Sequence, residues 1–460
     1  MPKTQTHESW TSRAAYIIVA IGATIGLGNL WRFPFAAGEN GGGVFVLIYL
    51  FAVFFLVSPL FMAETLIGRL GRKSAPMSFK ALREKYGGTG LWAGVGFLGL
   101  FISILVLSFF SVIAGFSIGY VFKALGGAFS TSDPAAVSAL FREFTGNPYT
   151  LLLWHSVIAA MTALIVGRGI RSGIERAAKI MMPLLLLILI FLVVFASIIG
   201  DFGAAFRYLF TFQWEALSPQ VALSAFGQAF FTMSVGSCGM LTYAAYVGKK
   251  IQIGKTTAII AIGDTIVALL AGFAIFPIVF GYGLGMENAQ NFVFTTLPIA
   301  FGQMPYGNLV AVLFFTLFVF AAVTSTIGLL ETVVSYFIEK TRFSRPAIAN
   351  ALGVAFWAVG ILSVLSFNLW SDVHPLGFIK IFAGMTPFAL INGLVGNILL
   401  PVAGILISLF AGWVIPKGIS IDELGLGKKI YFNIWLFVVR FVVPAGVLAL
   451  LLTNLFLAGG

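Results

Sequence analysis

The residues with the most chemical reach in this chain sit inside apolar runs, where they are hardest to keep. Gly22-Ala23-Thr24-Ile25-Gly26-Leu27-Gly28-Asn29-Leu30-Trp31-Arg32-Phe33-Pro34 crowds three glycines, an asparagine, an arginine and a proline into one such run. An interior Gly costs a helix about 1 kcal/mol relative to Ala and a Pro about 3, so this run predicts a broken helix. A second cluster, Ser234-Val235-Gly236-Ser237-Cys238-Gly239, predicts a second break. Unwound backbone at membrane depth survives only when buried in protein or facing a wet cavity, where freed N–H groups meet anions and freed carbonyls coordinate cations. A lone glycine would more simply let two helices approach. Clusters in both halves of the chain, flanked by Asn29 and Thr232, point instead to a binding site. Thr324-Ser325-Thr326 adds hydroxyls suited to a hard monovalent cation, although such hydroxyls also bond back to their own helix.

Ionisable side chains in spans are costly and usually functional. Arg32 lies one turn past the first break and is placed to seal an outer vestibule, the alternative being to snorkel to the headgroups. Asp264 can ligate a cation or carry a proton. Glu64 and Glu331 are expected to bond unwound backbone or to pair structurally, Arg440 to contact a neighbouring helix or headgroups, and His155 to be a packed or interfacial histidine. A single cysteine, Cys238, allows neither an internal disulfide nor a Cys-rich metal site. No nucleophile, base and orienting group form a set, so no enzyme is expected.

Helices across a bilayer must position these residues. Of 460 residues, 60% are hydrophobic and 9% charged, and the mean hydropathy is +1.03, whereas a soluble domain carries about 25% charge. A soluble globular protein is excluded. A spanning helix needs about 20 apolar residues, and eleven candidates run over 13–36, 43–70, 90–123, 149–167, 173–200, 219–247, 255–284, 306–339, 346–367, 387–415 and 430–457. A barrel would alternate in strands of about ten residues. The net charge of +11 does not indicate nucleic acid, because Lys and Arg fall in short clusters between apolar runs. Placing the N-terminus and the loops after even-numbered spans in the cytoplasm gathers most of the 27 basic residues there, which leaves the C-terminus outside. The polar opening MPKTQTHESW, with no cleavage site after a short apolar core, indicates no signal peptide. Spans one and six, the broken ones, stand five apart, as a five-plus-five inverted repeat would place them. The expected fold is an all-α integral membrane protein of about eleven transmembrane helices in one domain, 1–460. Repeat 1 covers 13–200, repeat 2 covers 219–415, and an extra helix covers 430–457.

Trp10-Thr11-Ser12-Arg13 followed by GATIGLGNLWRFPFAAGENGGGVF resembles the neurotransmitter:sodium symporter family. The likeness continues through GQAFFTMSVGSCGMLTYAAY at 227–246, GFAIFP at 272–277, VTSTIGLLE at 323–331 and NILLPVAGILISLFAGW at 397–413, in the eleven-span bacterial form. The resemblance implies sodium-coupled uptake of an amino acid or amino-acid-like solute by alternating access, in the plasma membrane, by a monomer or homodimer. It would give one sodium site to the Thr24 carbonyl, Asn29, Thr232 and Asp264, and a second to the carbonyls of Gly22, Ile25 and Ala321 with the hydroxyls of Thr324 and Ser325. The substrate would lie against Thr24, Leu27, Gly28, Val106, Phe110, Phe231, Thr232, Ser234, Ser237, Ser325 and Leu329. Gly26 stands where amine-selective relatives place an aspartate, which implies a carboxylate-bearing substrate. The outer gate would be Arg32 with Asn392, and the inner latch His7 with Glu339, with Tyr246 nearby. The fixed charge of Asp264 would make chloride unnecessary beside two Na+.

Departures from the family pattern bear on the substrate. Phe110 stands where the family has a tyrosine whose hydroxyl meets the substrate carboxylate, so a non-α substrate such as taurine, a β-amino acid or γ-aminobutyrate stays open. Ser237 replaces a commonly aromatic residue and predicts a roomier, more polar cavity. Asn392 replaces an aspartate, so any outer latch would be a charge-assisted hydrogen bond. A substrate sensor that does not transport, and a proton-coupled carrier using Asp264, are the other readings.

Overall fold

The computed structural model describes residues 9–131, 133–248, 251–285 and 292–459, without the side chains of 454–459. His7 lies outside the described residues. The first apolar run forms α1 (Arg13–Thr24) and α2 (Gly28–Glu39), bent by 52°. Ser12 starts α1 by accepting a hydrogen bond from Ala15 N at 3.1 Å, and Ile25 ends it in an extended conformation. The chain continues through α3 (Gly43–Gly71), α4 (Ala75–Tyr86), α5 (Trp92–Leu125), α6 (Pro134–Gly146), α7 (Pro148–Gly167), α8 (Ile170–Ile199) and α9 (Phe202–Phe210). The sixth apolar run is again two helices, α10 (Pro219–Thr232) and α11 (Gly239–Ala245). Then follow α12 (Ile253–Gly281), α13 (Phe292–Gln303), α14 (Gly307–Lys340), α15 (Arg345–Leu365), α16 (Pro387–Val414), α17 (Lys417–Leu424) and α18 (Lys429–Thr453).

Nine of these helices are long and apolar enough to cross a membrane, and the bent pair α1–α2 makes a tenth. The eleventh expected span is the α10–α11 pair, whose halves are too short to qualify once residues 233–238 unwind. Among the described residues there is no strand. Helices α5 and α14, each of 34 residues, pack along one another through the middle of the molecule. The broken helices lean on that pair: α1 lies against α14, α12 and α8, while α10 and α11 lie against α3. Several polar groups between these helices pair with one another, as burial favours. Thr162 meets Thr326 at 2.9 Å, and His155 bridges Ser111 Oγ (3.0 Å) and Trp357 O (3.1 Å) as a packed histidine. Arg440 donates to Gly412 O at 2.6 Å and covers the Trp413 ring, so it joins α18 to α16. Outside the spans, Tyr208 on α9 donates to Gly38 O at 2.6 Å, which fixes the end of α2; burial raises its hydroxyl pKa and keeps it a donor.

Candidate substrate and ion sites

Both breaks free backbone groups, and both are satisfied by buried side chains. In the first, Asn29 Oδ1 accepts from Gly26 N at 3.2 Å, and Gln228 Nε2 donates to Gly28 O at 2.7 Å. In the second, Ser234, Gly236 and Cys238 all have positive φ, and Glu64 accepts from Gly236 N. Ser103 Oγ donates to Ser237 O at 3.1 Å. Gly236 is required twice over: its φ is +91°, and a Cβ there would stand 2.7 Å from Leu400 O. Glu64 thus bonds unwound backbone, the first of the two roles expected for it.

The breaks bring three polar side chains together. Asn29 Nδ2 donates to Asp264 Oδ1 at 3.0 Å, and Thr232 Oγ1 donates to Asp264 Oδ2 at 3.0 Å. All three are at most 1% exposed. Among the described residues Asp264 has no basic partner, and no three His, Cys, Asp or Glu side chains gather as a transition-metal site. A buried carboxylate surrounded only by neutral oxygens and amides lacks the counter-charge that burial calls for, and one carboxylate plus hydroxyl and carbonyl oxygens suits a hard cation. The Thr24 hydroxyl turns back to Ile21 O at 3.1 Å, so its carbonyl is the group left for such a site. On the other flank of α1, Ala321 O accepts from Thr324 Oγ1 (3.0 Å) and Ser325 Oγ (3.1 Å). A Cβ at Gly22 would stand 3.6 Å from Thr324 Cβ. Gly22, Ile25, Ala321, Thr324 and Ser325 are all buried.

Two chambers flank the breaks. An inner cavity of about 60 Å³ is lined by Thr24, Gly28, Val106, Phe110, Phe231 and Ser234, together with Ser237, Ser325 and Leu329. An outer vestibule of about 610 Å³ holds Arg32, Leu27 and Asn392. Phe110 and Phe231 line both chambers, so their rings form part of the partition between them.

The family model for the sodium:neurotransmitter symporter family matches residues 7–134 and 144–407. The chain belongs to that family. An uncharacterized sodium-dependent transporter of Bacillus subtilis (strain 168), YhdH, is 35% identical over 96% of each chain. An uncharacterized sodium-dependent transporter of Haemophilus influenzae is 32% identical over 98% of each. The crystal structure of MhsT in complex with L-phenylalanine superposes with a TM-score of 0.88 at 34% identity, covering 98% of this chain and 100% of that one.

Against the family pattern, most expected residues meet and some do not. Leu27 faces the vestibule rather than the inner cavity, and the Thr232 hydroxyl is committed to Asp264. Met240, Leu400, Gly239 and Gly328 line the inner cavity and were not expected; Met240 and Gly239 border the second break, whereas nothing local in the sequence marks Leu400. At Ser237 the cavity is walled by Met240 and Leu400, and the Ser237 hydroxyl folds back to Ser234 O at 3.0 Å. The Arg32–Asn392 hydrogen bond is not made: the guanidinium lies 4.7 Å over the Phe231 ring, where a cation is attracted to the π face. Of the expected inner latch, His7 lies outside the described residues, while Glu339 and Tyr246 are described. Glu339 accepts from Ser74 N (2.8 Å) and Ser74 Oγ (2.6 Å), starting α4, while Tyr246 donates to Glu331 Oε1 at 2.8 Å. Glu331 also pairs with Arg345. Trp10 closes this end, its Nε1 donating to Tyr243 O at 2.9 Å and its ring set edge-on to Tyr243 and Tyr246.

Proposed function

We propose that the protein is a sodium-coupled symporter for an amino acid or amino-acid-like solute, working by alternating access from two five-helix repeats over about 13–200 and 219–415. The observation that carries the reading is Asp264: a fully buried carboxylate held by Asn29 and Thr232 beside the unwound α1–α2 junction, with no basic partner among the described residues. Sodium at Thr24, Asn29, Thr232 and Asp264 would neutralise it, and a second ion would lie among Gly22, Ile25, Ala321, Thr324 and Ser325. Both sets touch the α1 break, so ions bound there favour one arrangement of α1 and α2. Coupling requires that they bind that arrangement more tightly than the other, since equal affinity shifts nothing. The substrate would occupy the inner cavity against Thr24, Gly28, Val106, Phe110, Phe231, Ser234, Ser237, Ser325 and Leu329. The negative charge of Asp264 would do without chloride. The N-terminus is assigned to the cytoplasmic side of the plasma membrane by the basic loops.

Gly26 supports a carboxylate-bearing substrate. A Cβ there would stand 2.6 Å from Ser325 Oγ and 3.7 Å from Phe110 Cζ, so an acidic side chain for a substrate amine would have to displace the Ser325 hydroxyl. Phe110 offers that carboxylate no hydroxyl, which keeps a β-amino acid, taurine or γ-aminobutyrate as the second reading. The test is uptake into proteoliposomes of α-amino acids, β-amino acids, taurine and γ-aminobutyrate, with and without an inward sodium gradient. Sodium-driven accumulation of one class names the substrate. Saturable binding without accumulation makes the protein a sensor, and uptake driven by a pH gradient without sodium makes Asp264 a proton carrier.

A further inference from the structure

A further cavity, of about 770 Å³, belongs to neither chamber. It lies at the rim where α5 ends and α7 begins, within the 300 to 1,000 Å³ range common for small-molecule sites. Both helices cross the membrane, so this rim is where hydrocarbon gives way to headgroups. It is the vestibule's side of the molecule, because Phe144 in the cavity wall reaches Trp31 through ring contacts with Phe116 and Phe294.

The cavity has two kinds of wall. Phe122 stacks on Trp154 at 5.1 Å between ring centres, and Phe122 and Tyr149 are 58% and 81% exposed. The same cavity is lined by one cation and one anion, Lys123 and Glu143, and by Thr150. The two charges do not neutralise each other. Among the described residues neither forms an ion pair within 4.0 Å, and Lys123 Nζ rests 5.6 Å from the centre of the Phe144 ring. Opposite charges that share a cavity without pairing are arranged for a ligand carrying both signs. The aromatic walls and the position at the rim require that ligand to be an amphiphile.

We propose that this cavity binds the headgroup of phosphatidylethanolamine, with the phosphate at Lys123, the ammonium at Glu143 and Thr150, and the acyl chains over exposed Phe122, Leu125 and Leu153. A primary ammonium donates hydrogen bonds to a carboxylate and a hydroxyl, as a quaternary one does not. An anionic headgroup brings no cation to Glu143 and sets negative charge against it.

The test is native mass spectrometry of the full chain released from mild detergent. It is titrated separately with phosphatidylethanolamine, phosphatidylglycerol and phosphatidylcholine of the same acyl chains. The expected result is several-fold greater retention of phosphatidylethanolamine than of either other lipid. Lys123→Gln brings it down to the level of phosphatidylcholine, and Glu143→Lys turns the preference toward phosphatidylglycerol. Thermal unfolding of both variants at the wild-type temperature shows that the fold is kept. Equal retention of the three lipids, or phosphatidylethanolamine retention that neither substitution changes, overturns the proposal.

Discussion

Asp264 has its two carboxylate oxygens held by Asn29 and Thr232, both neutral. Replacing it with Asn keeps the shape and removes the charge. Asp264→Asn is therefore expected to raise the sodium needed for half-maximal thermal stabilisation at least about tenfold, or about 1.4 kcal/mol. A small anion such as chloride is expected to recover part of that loss. Stabilisation by sodium that is unaltered in the variant would remove Asp264 from the ion site. Phe110→Tyr tests the substrate wall instead. A hydroxyl there would meet a carboxylate with the strength of a hydrogen bond to a charged group, about 1.5 kcal/mol, so α-amino acids should gain about tenfold in a competition panel. An unchanged ranking would show that Phe110 does not set selectivity. At this scale the sequence was informative wherever a residue's role follows from its own break, as with Asn29 and Gly236. It was silent on Leu400, which reaches the inner cavity only because α16 packs against the second break.

The elements were legible to within a few residues where composition alone decides them. The expected run 43–70 is Gly43–Gly71, and 387–415 is Pro387–Val414, because a segment that crosses hydrocarbon must be apolar throughout. The short helices Ala75–Tyr86, Pro134–Gly146 and Phe292–Gln303 had no such signature, being shorter than a span and stabilised by what they pack on. Gates were harder still. Glu331 finds Arg345 across the turn between α14 and α15, and Glu339 is diverted to Ser74; neither choice is written in either helix. The second break makes its own prediction. Gly236→Ala forces a Cβ toward Leu400 O at a φ of +91°, so it should destabilise by about 1–3 kcal/mol. Gly94→Ala, where a Cβ meets nothing within 4 Å, should change little. Equal thermal midpoints for the two variants would show that the break is not held in this conformation.

For the molecule as a whole, the vestibule and the Trp10 closure lie on opposite sides of the inner cavity, so opening one end and sealing the other is the expected cycle. Cys238, the sole cysteine, is buried in the second break and serves as a built-in reporter. Trp10→Ala removes the ring between Tyr243 and Tyr246 and should speed thiol labelling of Cys238 about fivefold or more, since local opening governs access to a buried group. Labelling at the wild-type rate would mean that Trp10 does not hold this end shut.

Phe231 faces both chambers and carries the guanidinium of Arg32 on its ring. If that ring rotates to admit a solute, the guanidinium is expected to shift with it. Across a membrane, one elementary charge carried through 100 mV is worth about 2.3 kcal/mol, so a displacement of only a tenth of the field amounts to about 0.2 kcal/mol. The proposed transport cycle therefore predicts that admission of even a neutral solute is an electrical event, read as a transient current in a voltage-clamped membrane.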